Sequence, residues 1–353
     1  MVDIILAAGG TGGHLFPAIA TMQKLQNRGL TIKLITDGRC LPYLKNDNNI
    51  DYQVFALKSL KGGVLYKLKW CLNSLIILFQ LIFFYLQLKP RLVVGFGGYT
   101  SFLPLLAARI LRIKVFIHEQ NIFLGRANVF FLPYAKYLAT SFQETTNIAS
   151  KYKAKMVNTG NPVREKFDDI VKSAENFNNI DNFCILVIGG SQGASVFTRI
   201  MPKILALVKD LGKIKIIQQA RKEDIASLQE QYKKLGIQYD IAEFFEDMVA
   251  LYTSAHVVIA RAGASTIAEL VSIRQPNILV PLPSSTANHQ RLQAEFMQKT
   301  GSSFCALEDL DIAEKISQHI KSMMQDSQIL LKQHDNLSKL SQKNAAHSLS
   351  ELI

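Results

Sequence analysis

Two glycine-rich runs, and the polar side chains placed beside them, are the residues of this chain best suited to chemistry. Gly9-Gly10-Thr11-Gly12-Gly13 is followed at once by His14, and Gly189-Gly190-Ser191-Gln192-Gly193-Ala194 repeats the habit in the second half. Lacking side chains, such runs let backbone N–H groups approach an anion, and a helix N-terminus behind them favours negative charge. A phosphate or diphosphate is the natural guest. His14 adds an imidazole, a group that titrates near neutral pH and can serve as a general base. A histidine alone is usually structural; attachment to a phosphate loop is what marks this one.

Further polar groups sit at comparable places. Gly95-Phe96-Gly97-Gly98-Tyr99-Thr100-Ser101 is a third glycine turn with backbone donors to offer, and His118-Glu119-Gln120-Asn121 ends another apolar run. In the second half, Arg261-Ala262-Gly263-Ala264-Ser265-Thr266 opens a helix that carries Glu269 one turn in. A carboxylate there can accept both hydroxyls of a ribose, or it can simply complement the helix dipole. Asn288-His289-Gln290 supplies amides suited to sugar hydroxyls, or plain surface polarity. The first loop also opens like a dinucleotide fingerprint, but Leu15 stands where its third glycine belongs. Asp37 falls where a ribose-binding acid would then be expected; its simpler reading is a turn residue before Gly38. No zinc spacing, catalytic triad or Walker loop is present.

All of these groups need elements to hold them, and each follows a short apolar run. Such runs occur at 4–7, 31–36, 92–95, 115–118 and 137–140, and again at 184–188, 215–218, 257–260 and 277–280. Apolar on both faces and alternating with helical periodicity (14–25 and 194–207 after the two loops), they predict parallel strands flanked by helices. The expected class is α/β, with two Rossmann-like domains whose parallel sheets face across a cleft that holds a diphosphate. A chain of 353 residues agrees with two domains. The seam falls near Gly160-Asn161-Pro162, giving domains 1–164 and 165–337, with a terminal helix of about 338–353 free to pack back on the first.

Charge narrows the partners. Lys and Arg number 40 against 28 Asp and Glu, a net charge of +12 that favours anionic partners. No RNA-binding signature accompanies it, so nucleic acid is not expected. The four cysteines (Cys40, Cys71, Cys184, Cys305) show no paired spacing and fit a reducing compartment. The chain starts directly in a strand without a basic, cleavable leader, which makes the cytoplasm the default location. Residues 72–88 are the most apolar stretch. Broken by Asn73, Gln80 and Gln87, it reads as too short to span a bilayer. It is then a buried helix, or a surface helix dipping into lipid between Lys58, Lys61, Lys67, Lys69, Lys89 and Arg91. One helix can do both.

Taken in order, the blocks GGTGGHLFPAIA (9–20), GGYTS (97–101), HEQN (118–121), GNPVR (160–164), GGSQGA (189–194), RAGASTIAEL (261–270) and NHQ (288–290) resemble one family. It is the MurG family, the N-acetylglucosaminyltransferases that turn lipid I into lipid II in peptidoglycan synthesis. The resemblance implies a GT-B architecture, with the donor site mainly in the second domain and the acceptor site mainly in the first. It implies inverting transfer from UDP-GlcNAc without metal or other cofactor. Partners would be lipid I, the anionic cytoplasmic face of the bacterial inner membrane, and proteins of cell-wall synthesis and division. By motif, Thr11, Gly12 and Gly13 would border the donor's diphosphate and sugar, and Asn121 the sugar region. Arg164 and Ser191 would serve the diphosphate. Phe245 would meet the uracil through its backbone. Ala264, Ser265 and Thr266 would cap the diphosphate, Glu269 take the ribose, Gln290 the GlcNAc hydroxyls, and His14 the acceptor's proton. The chain departs from the family pattern at Ala287, at Gln293-Ala294 and at Leu103-Pro104. Two other classes stay open: a different GT-B enzyme of UDP-sugars, such as a UDP-GlcNAc epimerase or a glycolipid transferase, and a non-enzymatic nucleotide binder at the membrane.

Overall fold

The computed structural model describes residues 2–45, 49–58, 63–168, 170–177, 180, 182–189, 195–341 and 344–353. Two compact units divide the chain, residues 1–164 with 344–353, and residues 165–343.

The first unit is built on seven strands: β1 (Ile4–Ala7), β2 (Ile32–Thr36), β3 (Tyr52–Val54), β4 (Leu92–Gly95), β5 (Lys114–Glu119), β6 (Leu138–Thr140) and β7 (Met156–Asn158). They lie in the order β3-β2-β1-β4-β5-β6-β7, and every neighbouring pair is parallel. β1 and β4 are buried at every position, as strands covered on both faces must be. On one face Leu15, Ala18, Met22 and Leu25 of the helix Gly12–Asn27 pack into a core shared with Leu349 of the C-terminal helix Ala345–Leu352. The Arg28 guanidinium donates to the Ser350 carbonyl and ties that helix down. On the other face the helices Val64–Leu88 and Gly98–Ile110 close the core through Ile77, Leu81, Tyr85, Leu105 and Ala108. The Tyr85 hydroxyl donates to the Pro104 carbonyl at 3.2 Å, so the proline at position 104 sits where the two helices are joined.

The second unit carries β8 (Asn182–Ile188), β9 (Lys213–Gln219), β10 (Gln238–Ala242), β11 (Val257–Ala260), β12 (Asn277–Leu279) and β13 (Phe304–Cys305). Their order is β10-β9-β8-β11-β12-β13, again parallel throughout. Both sheets therefore reverse direction beside their first strand, between β1 and β4 and between β8 and β11. Ligands of open α/β sheets bind outside the carboxyl ends of the strands at such switch points.

The long apolar helix differs from its sequence reading. It runs from Val64 to Leu88, and Lys69–Leu88 forms a 20-residue stretch of mean hydropathy 1.9, long enough to cross a bilayer by length and composition. Isolated Asn and Gln residues cost a helix little and do not interrupt it. What argues against a span is packing. Ile77, Leu81 and Tyr85 are buried in the core of the first unit, and threading the helix through lipid would strip that face away.

Candidate active site

In the first unit the switch point lies between the loop after β1 and the turn after β4, the places of Gly9–Gly13 and Gly97–Gly98. The backbone N–H of Gly10 donates to Asp37 Oδ1 at 2.9 Å. Asp37 Oδ2 accepts from Arg39 Nε at 2.9 Å and from the Tyr99 hydroxyl. Asp37 is only 3% exposed. It is therefore a clamp that joins both glycine segments to the end of β2. With its carboxylate consumed by the protein, the ribose-binding alternative for Asp37 is set aside.

Thr11 is exposed at the head of the helix Gly12–Asn27, with Gly12, Gly13 and His14 half-buried in its first turn. His14 Nδ1 lies 2.8 Å from Gln120 Oε1. Gln120 Nε2 in turn lies 2.9 Å from His118 Nδ1, and His118 Nε2 lies 3.1 Å from the Gly160 carbonyl oxygen. Burial pushes His118 down to about 4, only partly offset by its bond to Gly160, so the ring is neutral at pH 7. Phe96 packs beside it, ring centroids 5.4 Å apart.

Glu119 points the other way, as alternation along β5 requires. Its Oε1 accepts from the backbone and side-chain nitrogens of Asn121 at 3.0 and 3.1 Å. Its Oε2 accepts from Gly125 N and Asn128 Nδ2, both at 2.9 Å. One buried carboxylate thus shapes the whole loop after β5 and sets the Asn121 amide. Arg164, at the end of the first unit's long segment, holds its guanidinium 5.1 Å over the Phe16 ring, two residues along from His14.

In the second unit the corresponding loops follow β8 and β11. Gly189 is buried, but Gly190–Ala194, and with them Ser191, lie outside the described residues. After β11 the helix Ala264–Ser272 starts from Gly263, so the backbone N–H groups of Ala264, Ser265 and Thr266 belong to its first turn. Glu269 is half-buried one turn on, and its Oε2 accepts from the buried Tyr252 hydroxyl at 3.0 Å. Tyr252 therefore orients the carboxylate. Arg261 forms an ion pair with Glu308 and donates to the carbonyls of Val280 and Pro281 at 3.2 and 3.3 Å, binding the loop after β11 to the one after β12. Gln293 is fully buried and donates to the Ala262 carbonyl at 2.6 Å, which gives this departure from the family pattern a structural use. Gln290 Oε1 accepts from Leu282 N at 3.0 Å, leaving its NH2 as the donor for a hydroxyl. Phe245 is half-buried in the loop between β10 and the helix Met248–Ser254, beside the 72%-exposed Phe244.

The described candidate residues thus divide between the two units, each on a segment that follows the carboxyl end of a strand or lies in the helix behind it. Sequence reasoning named His118 and Gln120 as polar groups at a strand end and Gln293 as a departure from the family pattern, but not their contacts with His14 and with the loop after β11, and it missed Tyr252 behind Glu269. The first pair had a signal, since His118 and Gln120 are two apart in a strand and must share a face. Among the described residues no group of three or more His, Cys, Asp or Glu is placed to hold a metal ion.

Residues 4–140 match the glycosyltransferase family 28 N-terminal domain, and residues 184–349 match the C-terminal domain of the same family. A Rickettsia felis protein named UDP-N-acetylglucosamine–N-acetylmuramyl-(pentapeptide) pyrophosphoryl-undecaprenol N-acetylglucosamine transferase is 37% identical over 361 residues, covering 100% of this chain and 99% of its own. The crystal structure of Acinetobacter baumannii MurG matches with a TM-score of 0.80 at 27% identity, over 100% of this chain and 99% of that one. A UDP-GlcNAc 2-epimerase from Neisseria meningitidis, solved with UDP-GlcNAc bound, reaches 0.67 at 14% identity over 99% and 98% of the two chains, a likeness of fold alone. With both family domains matched in order and a full-length relative at 37% identity, the chain belongs to glycosyltransferase family 28, in its MurG branch.

Proposed function

We propose that the protein transfers GlcNAc from UDP-GlcNAc to the muramoyl 4-hydroxyl of lipid I, producing lipid II and UDP with inversion at the anomeric carbon. The observation that carries this reading is the full-length identity to the named Rickettsia transferase. His14 Nε2 takes the proton of the acceptor hydroxyl as its oxygen attacks the face opposite the leaving diphosphate. The charge left on UDP is met by backbone N–H groups of Ala264, Ser265 and Thr266 and by the helix dipole behind them, with Arg164 and Ser191 as further partners. Glu269, held by Tyr252, accepts the ribose hydroxyls, and Phe245 offers its backbone to the uracil. Gln290, Asn121 and the Thr11–Gly13 segment surround the sugar. The first unit is then the acceptor side and the second the donor side.

An epimerase of UDP-GlcNAc shares the fold and is separated by assay. Purified protein incubated with radiolabelled UDP-GlcNAc and lipid I is expected to move label into the lipid-extractable fraction. Label that stays in nucleotide sugar overturns the reading.

The acceptor is a lipid, and one face of the helix Val64–Leu88 fits a membrane. Leu72, Leu75, Ile76, Phe79, Phe83 and Leu86 are each 52–69% exposed and fall on one stripe, with Ile77, Leu81 and Tyr85 buried opposite. Lys67, Lys69, Lys89 and Arg91 flank it; Lys61 lies outside the described residues. On this reading the enzyme rests peripherally on the cytoplasmic leaflet, where it can also meet cell-wall synthesis and division proteins. Each half-exposed apolar side chain contributes ~1 kcal/mol on leaving water, and each nearby cation ~1 kcal/mol at an anionic surface. The double variant Phe79→Glu/Phe83→Glu is therefore expected to weaken co-sedimentation with vesicles containing anionic lipid by roughly 100-fold or more. Turnover of a water-soluble, short-chain acceptor should persist. Unchanged vesicle binding would remove the membrane role from this helix.

A further inference from the structure

We propose that Gln120 and His118 are positioning residues which fix His14 in the neutral tautomer carrying its proton on Nδ1, so that the Nε2 lone pair is always the one offered to the acceptor hydroxyl. The inference rests on His14 being the base, and it concerns what makes that histidine a usable one.

The relay starts at a backbone group that cannot change role. The Gly160 carbonyl only accepts, so His118 Nε2, 3.1 Å away, carries a hydrogen. The His118 ring is fully buried and held neutral, which leaves its Nδ1 bare. A bare Nδ1 accepts, so the group 2.9 Å from it must be the amide NH2 of Gln120. The orientation of that amide is now determined, and its carbonyl oxygen faces His14 Nδ1 at 2.8 Å. That nitrogen must donate. Neutral His14 then has its lone pair on Nε2 and nowhere else. The opposite orientation of Gln120 would set a bare His118 Nε2 against the Gly160 carbonyl, or demand a second proton on a ring buried without a counter-ion.

The far edge of the His14 ring is kept open by the second glycine turn. Gly97 and Gly98 have φ of +77° and +71°, and a Cβ at position 98 would lie 3.2 Å from both Nε2 and Cδ2 of His14. A side chain here would crowd the nitrogen the relay exposes. The ionisable groups of the surrounding elements are otherwise engaged. From β5, Glu119 is turned away and accepts four N–H bonds. From the end of β2, Asp37 and Arg39 pair with each other, and Tyr99 of the glycine turn donates to Asp37. Arg164 stacks over Phe16 on the helix that bears His14. Without a partner at Nδ1 the imidazole is free to place its proton on Nε2, where it cannot act as a base.

The test is nitrogen NMR on the full chain labelled with 15N-histidine, combined with steady-state kinetics. The His14 signals, assigned through their loss in His14→Ala, are expected to show a protonated Nδ1 and a bare Nε2, with His118 the reverse. Gln120→Leu is expected to lose the His14 pattern and to lower kcat by roughly ten- to 100-fold, with KM for UDP-GlcNAc retained. Gln120→Glu keeps the shape but sets a carboxylate beside Nδ1. An opposite charge favours the imidazolium, so the acid limb of kcat should move to higher pH by about one unit or more. A His14 proton found on Nε2 in the unmodified protein, or a pH profile of kcat that Gln120→Glu leaves in place, overturns the relay. A protein that forms no labelled lipid at all instead overturns the transferase reading, and the NMR pattern still decides the tautomer.

Discussion

Replacing His14 with alanine is expected to lower kcat by ~10²–10⁴-fold, the usual span for a positioned general base, while KM for UDP-GlcNAc changes little. The separation of the two constants follows from where the residue sits. His14 is in the first turn of the helix Gly12–Asn27, and its side chain is bonded to Gln120 of the same unit. Glu269, Gln290 and the Ala264–Thr266 turn, which this reading gives to the donor, belong to the other unit. Losing the imidazole removes proton transfer from the attacking hydroxyl and leaves the donor's contacts in place. The acid limb of the kcat profile should vanish with it, because that limb reports the base in the enzyme–substrate complex. The measurement is lipid II formation under saturating donor across a pH series. Full turnover by the variant would remove the base assignment and leave the substrate assignments standing.

His14 was legible because it adjoins a glycine loop, and the loop is legible from composition alone. The central strands were legible for a related reason. β1, β4 and β11 are unbroken apolar runs, buried at every position, and their ends match the runs at 4–7, 92–95 and 257–260. The strands that escaped notice are β3, β7, β10 and β13, none of them fully buried. All four are sheet edges, and β13 closes the second sheet on the far side from β10 with two residues. An edge strand holds its place through backbone hydrogen bonds to one neighbour, so its side chains need not spell a hydrophobic run. Asp37 shows the converse problem. Residue type and position suggest a ligand contact, but the carboxylate is taken by Gly10, Arg39 and Tyr99, partners up to 62 residues away that no local pattern reveals. The same holds for Tyr252 and Glu269, 17 residues apart, and for Gln293 and Ala262, 31 apart. Groups that touch a ligand tend to sit in recognisable loops, whereas the groups that aim them are brought up by the fold.

Glu119 is where such aiming should cost most when removed. Its carboxylate is 2% exposed, pairs with no cation among the described residues, and accepts four N–H groups from Asn121, Gly125 and Asn128. Hydrogen bonds to a charged group are each worth about 1.5–3 kcal/mol, but four on one carboxylate do not add independently. Glu119→Ala is expected to destabilise the first unit by ~2–4 kcal/mol, lowering its thermal midpoint by roughly 5–15 °C in calorimetry. Shape alone will not rescue it. Glu119→Gln preserves the volume but turns one acceptor oxygen into an NH2 group facing two N–H donors, so it should recover well under half of the loss. A second readout separates scaffold from site. With the carboxylate gone, Asn121 loses both the backbone and the side-chain bond that hold it, and KM for UDP-GlcNAc should rise in the fraction that stays folded well below the new midpoint. A Glu119→Gln protein as stable as the original would mean that filling the space, rather than accepting those four hydrogens, is what the loop after β5 requires.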